Sequence, residues 1–389
     1  MVRSFYEPAW RPTSAVIRSG GAQAAHDIAI SLLRLGDALP GTATAGRVAN
    51  RLTLPRRPTP IGGVTLPHPL IVAAGLVKGD GFDDEWAATK ALRSGRDIVP
   101  GWRTLPALLG AVEFGSFTRQ PRKGNRGRVV WRDDATRSMQ NRVGLRNPGA
   151  AAAAGFLRSK GEALPRVWGI SLAPTPGIED LDAAAADLDE SATAFVDAFD
   201  RHPRPPAWYA LNLSCPNTED DPDAFQTDAL ARRLAGTLVG RVRGTPVWVK
   251  VGPALSVEQY RVLARAFEDA GVQAVVATNT LAQPDPSGTA TAGVSGDRLR
   301  THALEAVSQL ARIIAADRLS LDVIGSGGVQ RGRDLIAFEE AGARAAMLYS
   351  ALVFRGPLAP ALILREAERV TAARRARLTQ PSEVTAHGG

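Results

Sequence analysis

The strongest constraint on this 389-residue chain is a rhythm of short apolar runs separated by longer helical stretches. The runs fall at 69–73, 111–115, 167–172, 208–213, 246–251, 273–278, 321–325 and 344–349. They are rich in Val, Ile and Leu, the composition of strands covered on both faces in a parallel sheet. Stretches of helical character lie between them, among them 181–199, 226–241, 256–270, 301–317 and 332–341. Strands alternating with helices in this way predict an α/β chain closed into a (β/α)8 barrel, with a doubly wound open sheet as the alternative.

The barrel is expected over 59–362, with 1–58 a helical N-terminal extension and linker and 363–389 the end of a C-terminal helix with a polar tail. From Ala25 to Leu39, the residues Ile28, Leu32, Leu35 and Leu39 recur at helical spacing, which predicts an amphipathic helix. Leu54-Pro55-Arg56-Arg57-Pro58 reads as a linker, and Ile61 to Leu66 as a short hairpin.

Composition narrows the chemistry. A single cysteine excludes an internal disulfide and any cysteine-rich zinc or iron–sulfur site. The five histidines form no ligand spacing, so no metal site is expected. No apolar run reaches the roughly 18 residues of a membrane-spanning helix, and the first residues lack the apolar core of a signal peptide. The expected location is the cytoplasm. The net charge of +8 comes from arginine, because only five of the 47 basic residues are lysines. The arginines are scattered without interleaved aromatics, so nucleic acid is not an expected partner. Scarce lysines make a lysine inside an apolar strand a residue that needs a reason.

Active sites of (β/α)8 barrels form at the C-terminal ends of the strands, and polar groups gather there in this sequence. The strand ends carry Ala73-Ala74-Gly75 with Lys78, then Ser116, then Asn212-Leu213-Ser214-Cys215-Pro216-Asn217-Thr218, then Lys250. Thr278-Asn279-Thr280, Gly325-Ser326-Gly327-Gly328 and Tyr349-Ser350 follow. Lys250 in VWVKV either reaches water at its strand end or meets an electron-rich cofactor, since an isolated buried ammonium is costly. The glycine loop 325–328 is either a tight turn or a phosphate cradle. Cys215 stands among polar residues, where a base or nucleophile is more reasonable than a core thiol.

In this order, and with Asn141-Arg142-Val143-Gly144 and Gly293-Val294-Ser295-Gly296 between them, these motifs resemble the dihydroorotate dehydrogenase family. The resemblance runs from about residue 25 to 360. It implies an FMN-binding barrel that oxidises dihydroorotate to orotate in pyrimidine biosynthesis. Lys78, Asn212, Lys250 and Thr278 would line the flavin ring, and Ala73, Ala74, Gly75, Ser116 and Asn141 would also bind the cofactor. Ser295, Gly296, Gly327, Gly328, Tyr349 and Ser350 would hold the ribityl chain and phosphate. Lys78, Asn141, Leu145, Asn212, Asn217, Asn279 and Thr280 would contact a small cyclic substrate stacked on the flavin. Cys215 would be the general base, taking a proton from the carbon beside the carboxyl-bearing one while hydride passes from the latter to flavin N5.

The leading helix, with Ala25-His26-Asp27, resembles the quinone-linked branch, whereas a cysteine base resembles the soluble one. A quinone acceptor and peripheral contact with the inner face of the cell membrane follow from the first resemblance. The same helix is equally consistent with a lid packed on the barrel. The arginine of the quinone branch appears as Arg128, about one position out of register. Three further departures stand out. Leu145 replaces a Phe, Ser171 replaces a flavin-contacting Asn, and the connection from Gly79 to Ala111, with Trp86 and Trp102, is long enough to cover the mouth. They motivate an alternative in which a divergent paralogue acts on another small cyclic amide or carboxylate, in specialised metabolism. A flavin-binding protein without turnover is a third reading, disfavoured by Cys215 and both lysines.

Overall fold

A computed structural model describes the chain except residues 1–5, 9, 11, 13, 16–18, 214–226 and 380–389. Its centre is a closed barrel of eight parallel strands: β3 (Leu70–Val72), β4 (Val112–Phe117), β7 (Trp168–Leu172), β8 (Trp208–Asn212), β9 (Val247–Val251), β10 (Ala274–Ala277), β13 (Asp322–Ser326) and β14 (Ala345–Leu348). Each lies within one of the apolar runs or overlaps it by all but a residue or two. The barrel closes where Met347 of β14 registers with Ile71 of β3. The (β/α)8 expectation holds, and the open sheet does not.

Several covering helices begin on a side-chain cap. Asp180 accepts from the Ala183 N–H ahead of α6 (Leu181–Phe199). Ser256 and Gln259 form a reciprocal capping box ahead of α8 (Val257–Ala270), which ends on Gly271 in the left-handed region. Buried Phe195, Leu234, Leu263, Phe267 and Leu310 fill the layer between helices and strands.

The barrel interior is a separate core with two unlike ends. At the strand N-termini Trp208 and Trp248 stack with ring centroids 4.5 Å apart. A hairpin of β1 (Thr59–Ile61) and β2 (Val64–Leu66) closes that end with Ile61 and Leu66. The Trp248 Nε1–H donates to the Gly62 carbonyl at 2.9 Å. Gly169 on β7 has no room for a side chain, because a Cβ there would lie 2.0 Å from the Trp208 indole. Strand period two carries the same inward parity upward, from Trp248 to Lys250, from Trp208 to Asn212 and from Gly169 to Ser171. The floor is apolar apart from the buried Glu113 carboxylate bonded to Trp208, and the upper layer is polar.

Sequence periodicity gave no sign of a second sheet. Strands β11 (Leu281–Pro284), β12 (Thr291–Gly296), β6 (Ser138–Asn141) and β5 (Val130–Asp133) form a four-stranded antiparallel sheet, in that order. It registers Gly293 with Asn141 and Gly296 with Ser138, joining segments roughly 150 residues apart in sequence. Asn141, Ser295 and Gly296 therefore sit on strands of this sheet.

The extension contains α1 (Gly21–Ala38) and α2 (Thr42–Thr53). The amphipathic helix is present, but its apolar stripe faces away from the barrel: Ile28, Leu32, Leu35 and Leu39 are 45–55% exposed. The helix docks by its other side. The buried Asp37 carboxylate accepts from the Gly101 and Thr104 N–H groups and from Thr104 Oγ1. Arg34 grips buried Asp80 with both carboxylate oxygens at 3.0 Å. The connection from Gly79 to Ala111 is thus a platform for the extension. It contributes no residue to the cavity wall described below, and Trp102 packs edge-on to Phe156 in the core while Trp86 is 70% exposed. The helix thus packs on the barrel, though not through its apolar stripe, and this connection supplies no cover for the mouth among the described residues.

Candidate active site

A cavity of about 1250 Å³, open mouth included, lies over the C-terminal ends of the barrel strands. Ala73, Ala74, Gly75, Lys78, Ser116, Asn141, Asn212, Lys250, Thr278, Ser295, Gly296, Gly327, Gly328, Tyr349 and Ser350 all line it, with Leu145, Asn279 and Thr280. Cys215 and Asn217 lie outside the described residues.

Backbone geometry explains how these groups come together. Asn279 is held at its strand end by its N–H to the Val251 carbonyl, at 2.8 Å, and Thr278 by its N–H to the Ser326 carbonyl, at 2.7 Å. Ser116 has the outward parity of Phe114. The β4–β7 register shifts between Phe114 and Phe117, and this irregularity brings Ser116 onto the cavity wall. Gly115 permits it, with φ +106° and only 2.4 Å between a notional Cβ and the Ser171 carbonyl. Leu145 sits at φ +51°, unusual for a bulky residue, and buried Asn147 clamps its carbonyl at 2.7 Å.

The polar side chains form an ordered chain. Asn279 Oδ1 accepts from the Thr280 N–H and its Nδ2 donates to Asn212 Oδ1, both at 2.9 Å. Asn212 Nδ2 donates to Ser116 Oγ at 3.0 Å, and Ser116 Oγ lies 2.7 Å from Ser171 Oγ. Ser171, the residue in place of an expected amide, is buried behind this wall rather than on it. The Thr280 hydroxyl is buried on the cavity wall with no hydrogen-bond partner among the described residues, an unsatisfied group a ligand could meet.

Charge is arranged around Lys250. Glu113, inside the barrel on β4, accepts from Trp208 Nε1 at 3.0 Å. Complete burial pushes its pKa up, while the charge of Lys250 and the bonds from Trp208 and Ala74 pull the other way. Glu113 was not singled out from sequence, although a lone carboxylate in the run AVEFG is the same kind of signal as the lysine in VWVKV. His26 was also missed as a wall residue. Burial, then the charge of Lys78, lowers its pKa, which favours the neutral imidazole. Beside it Val130, Met139 and Val143 give the wall an apolar flank against α1.

The wall suits a flavin with a phosphorylated tail. Gly327 and Gly328 have φ of +134° and +78°, and a Cβ on Gly328 would come within 2.9 Å of the Gly296 carbonyl and 2.5 Å of Arg300 Cβ. Bare main chain therefore lines this end, the form of cradle in which N–H groups meet phosphate oxygens.

A family model described as dihydroorotate dehydrogenase matches residues 101–370. The chain belongs to the dihydroorotate dehydrogenase family. It is 30% identical over 373 residues to the dihydroorotate dehydrogenase (quinone) of Thermobifida fusca, covering 90% of this chain and 89% of that one. Against the protein of the same name from Salinispora arenicola it is 31% identical over 366 residues, covering 90% and 96%. Its fold is similar to crystal structures of DHODH from Eimeria tenella. With ferulenol bound, the TM-score is 0.64 at 21% identity, covering 86% of this chain and 93% of that one; ligand-free, it is 0.65 at 20% identity. Dihydroorotate dehydrogenases are flavin oxidoreductases acting on a CH–CH bond, and a flavin is the cofactor this family membership brings.

Proposed function

We propose that this protein oxidises dihydroorotate to orotate in pyrimidine biosynthesis, with FMN as its flavin and a quinone as final acceptor. The observation that carries the reading is the convergence on one cavity wall of Lys78 and Lys250, the amides of Asn141, Asn212 and Asn279, and the glycine cradle of Gly296, Gly327 and Gly328. FMN, when bound, supplies the two-electron redox chemistry.

The chain's own residues do the rest. Asparagine amides carry both donors and acceptors, the complement of a ring edge bearing C=O and N–H. Lys78 and Lys250 place positive charge where a carboxylate and an electron-rich ring must sit. Glu113 beneath Lys250 keeps that charge from standing alone in the barrel interior. Ser295, Gly296, Gly327, Gly328, Tyr349 and Ser350 hold the ribityl chain and phosphate. Cys215 takes the proton from the carbon beside the carboxyl-bearing one, with Asn217 among the substrate contacts.

The quinone approaches by the apolar flank of Val130, Met139 and Val143. The exposed stripe of α1 rests on the inner face of the cell membrane, in keeping with a contiguous apolar face that nothing in the described chain covers. No helix among the described residues is long and apolar enough to cross a membrane.

Anaerobic mixing with dihydroorotate should bleach the visible band of the flavin-loaded protein, and a quinone should restore it. A flavin-loaded protein whose absorption dihydroorotate leaves unchanged would overturn the reading.

A further inference from the structure

We propose that Ser171 is a positioning residue, acting through Ser116 to set the hydrogen-bonding polarity of the cavity wall. The inference deepens the reading above and rests on it. It follows from counting protons along the chain of side chains. The Thr280 N–H can donate only to an oxygen, so the Asn279 amide is fixed with Nδ2 toward Asn212. Asn212 must then present Oδ1 to Asn279 and Nδ2 to Ser116. Ser116 Oγ therefore already accepts one hydrogen bond.

The remaining contact, 2.7 Å between Ser116 Oγ and Ser171 Oγ, can run either way by distance alone. Burial decides it. Ser171 is 2% exposed, and Ser116 is the one hydrogen-bond partner of its hydroxyl among the described residues. If Ser116 donated, the Ser171 proton would be buried without an acceptor. If Ser171 donates, every proton behind the wall is placed. Ser116 then accepts from both Asn212 and Ser171, which fills its two lone pairs. Its own proton has one direction left, into the cavity it lines. Ser171 thus makes Ser116 a donor aimed at an electron-rich acceptor of the bound flavin or substrate, and holds the Asn212 amide in register with Asn279. An asparagine or an apolar residue at position 171 would set a different polarity.

The test is a double-mutant cycle of Ser171→Ala and Ser116→Ala with two readouts besides turnover. One is the dissociation constant of orotate, from its perturbation of the visible band of the oxidised, flavin-loaded protein. The other is the dissociation constant of FMN from the apoprotein, by fluorescence quenching. Ser171→Ala should weaken one of the two about 3–10-fold, the worth of one neutral hydrogen bond. The same change made in Ser116→Ala should add little, because the route runs through Ser116. Ser171→Cys, nearly the same size and a weak donor, should fall between, and it decides the question should Ser171→Ala not fold. Unchanged constants for both ligands, or an equal penalty with and without Ser116, would overturn the role. A wild-type protein inert to dihydroorotate would sink the functional reading instead, and the FMN arm would still decide the place of Ser171.

Discussion

The two ends of the barrel interior are built from the same strands and solve opposite problems. At the floor, Trp208 and Trp248 stack on each other, the Trp248 N–H is bonded to Gly62, and the hairpin seals the opening. At the mouth, two residues beyond Trp248 and four beyond Trp208 on the same strands, stand Lys250 and Asn212, with a Thr280 hydroxyl nearby that has no partner among the described residues. The floor leaves no space beside Gly169, while the mouth opens into the cavity. A barrel of this kind separates stability from chemistry along the strand axis. The apolar layer holds the strands in register, so the polar layer above can keep groups unsatisfied until a ligand arrives.

Substitutions at the two ends should therefore fail in different ways. The largest effect is expected at the mouth. Removing the general base with Cys215→Ala should slow flavin reduction by dihydroorotate about 10²–10⁴-fold, with the melting temperature and flavin content unchanged. Stopped-flow absorbance at the flavin band measures it, and near-wild-type reduction would take the base role from Cys215. The mirror-image variant is Trp248→Ala at the floor. Losing a buried indole, its stacking partner and the bond to Gly62 should cost about 3–5 kcal/mol of stability, read as a lower thermal midpoint. The fraction that remains folded should reduce its flavin at close to the wild-type rate. A slowed reduction in folded Trp248→Ala would mean that floor and mouth are coupled, contrary to the separation argued here.

The same separation explains what could be read from sequence. The barrel strands are short apolar runs, and the cavity residues stand where those runs end, so residues as far apart as Lys78 and Ser350 could be assigned to one mouth. The four-stranded sheet escaped because its segments are about four to six residues long, with at most two hydrophobic residues each, and its two hairpins join across roughly 150 residues. Ser116 could be named from its motif, but the register shift that brings it to the wall has no local signature. Ile28, Leu32, Leu35 and Leu39 show a different gap. Helical spacing says which residues share a face and does not say what covers it. The attachment of α1 rests instead on Arg34 and Asp37, two charged residues whose partners, Asp80 and Thr104, lie in the connection after the first barrel strand.

A smaller effect is expected at the phosphate end of the mouth. Gly328→Ala places a side chain at φ +78° and 2.5 Å from Arg300 Cβ. Left-handed backbone costs an ordinary residue roughly 1–2 kcal/mol, so FMN should bind about tenfold more weakly as the cradle shifts. Titration of the apoprotein with FMN checks this, and the thermal midpoint of the FMN-free protein should move far less than in Trp248→Ala.

The smallest effect sharpens the comparison by asking whether the extension's mooring belongs with the floor or with the mouth. Asp97 lies in the connection that α1 grips. Burial, then repulsion from Asp37, raises its pKa to about 6, against opposing contributions from the Val99 N–H, Arg34 and Lys160. In the unfolded chain it titrates near the ordinary value of 3.8. Between about pH 4 and 6 the folded protein therefore holds this proton more tightly than the unfolded chain does. Stability should fall as pH rises through that window and level off above it. Asp97→Asn should remove this component of the slope, read as a flatter dependence of the thermal midpoint between pH 4.5 and 7. If the mooring is structural, the flavin reduction rate measured at one pH should be the same in Asp97→Asn and wild type. A rate that shifts with Asp97 would instead tie the extension to the chemistry at the mouth.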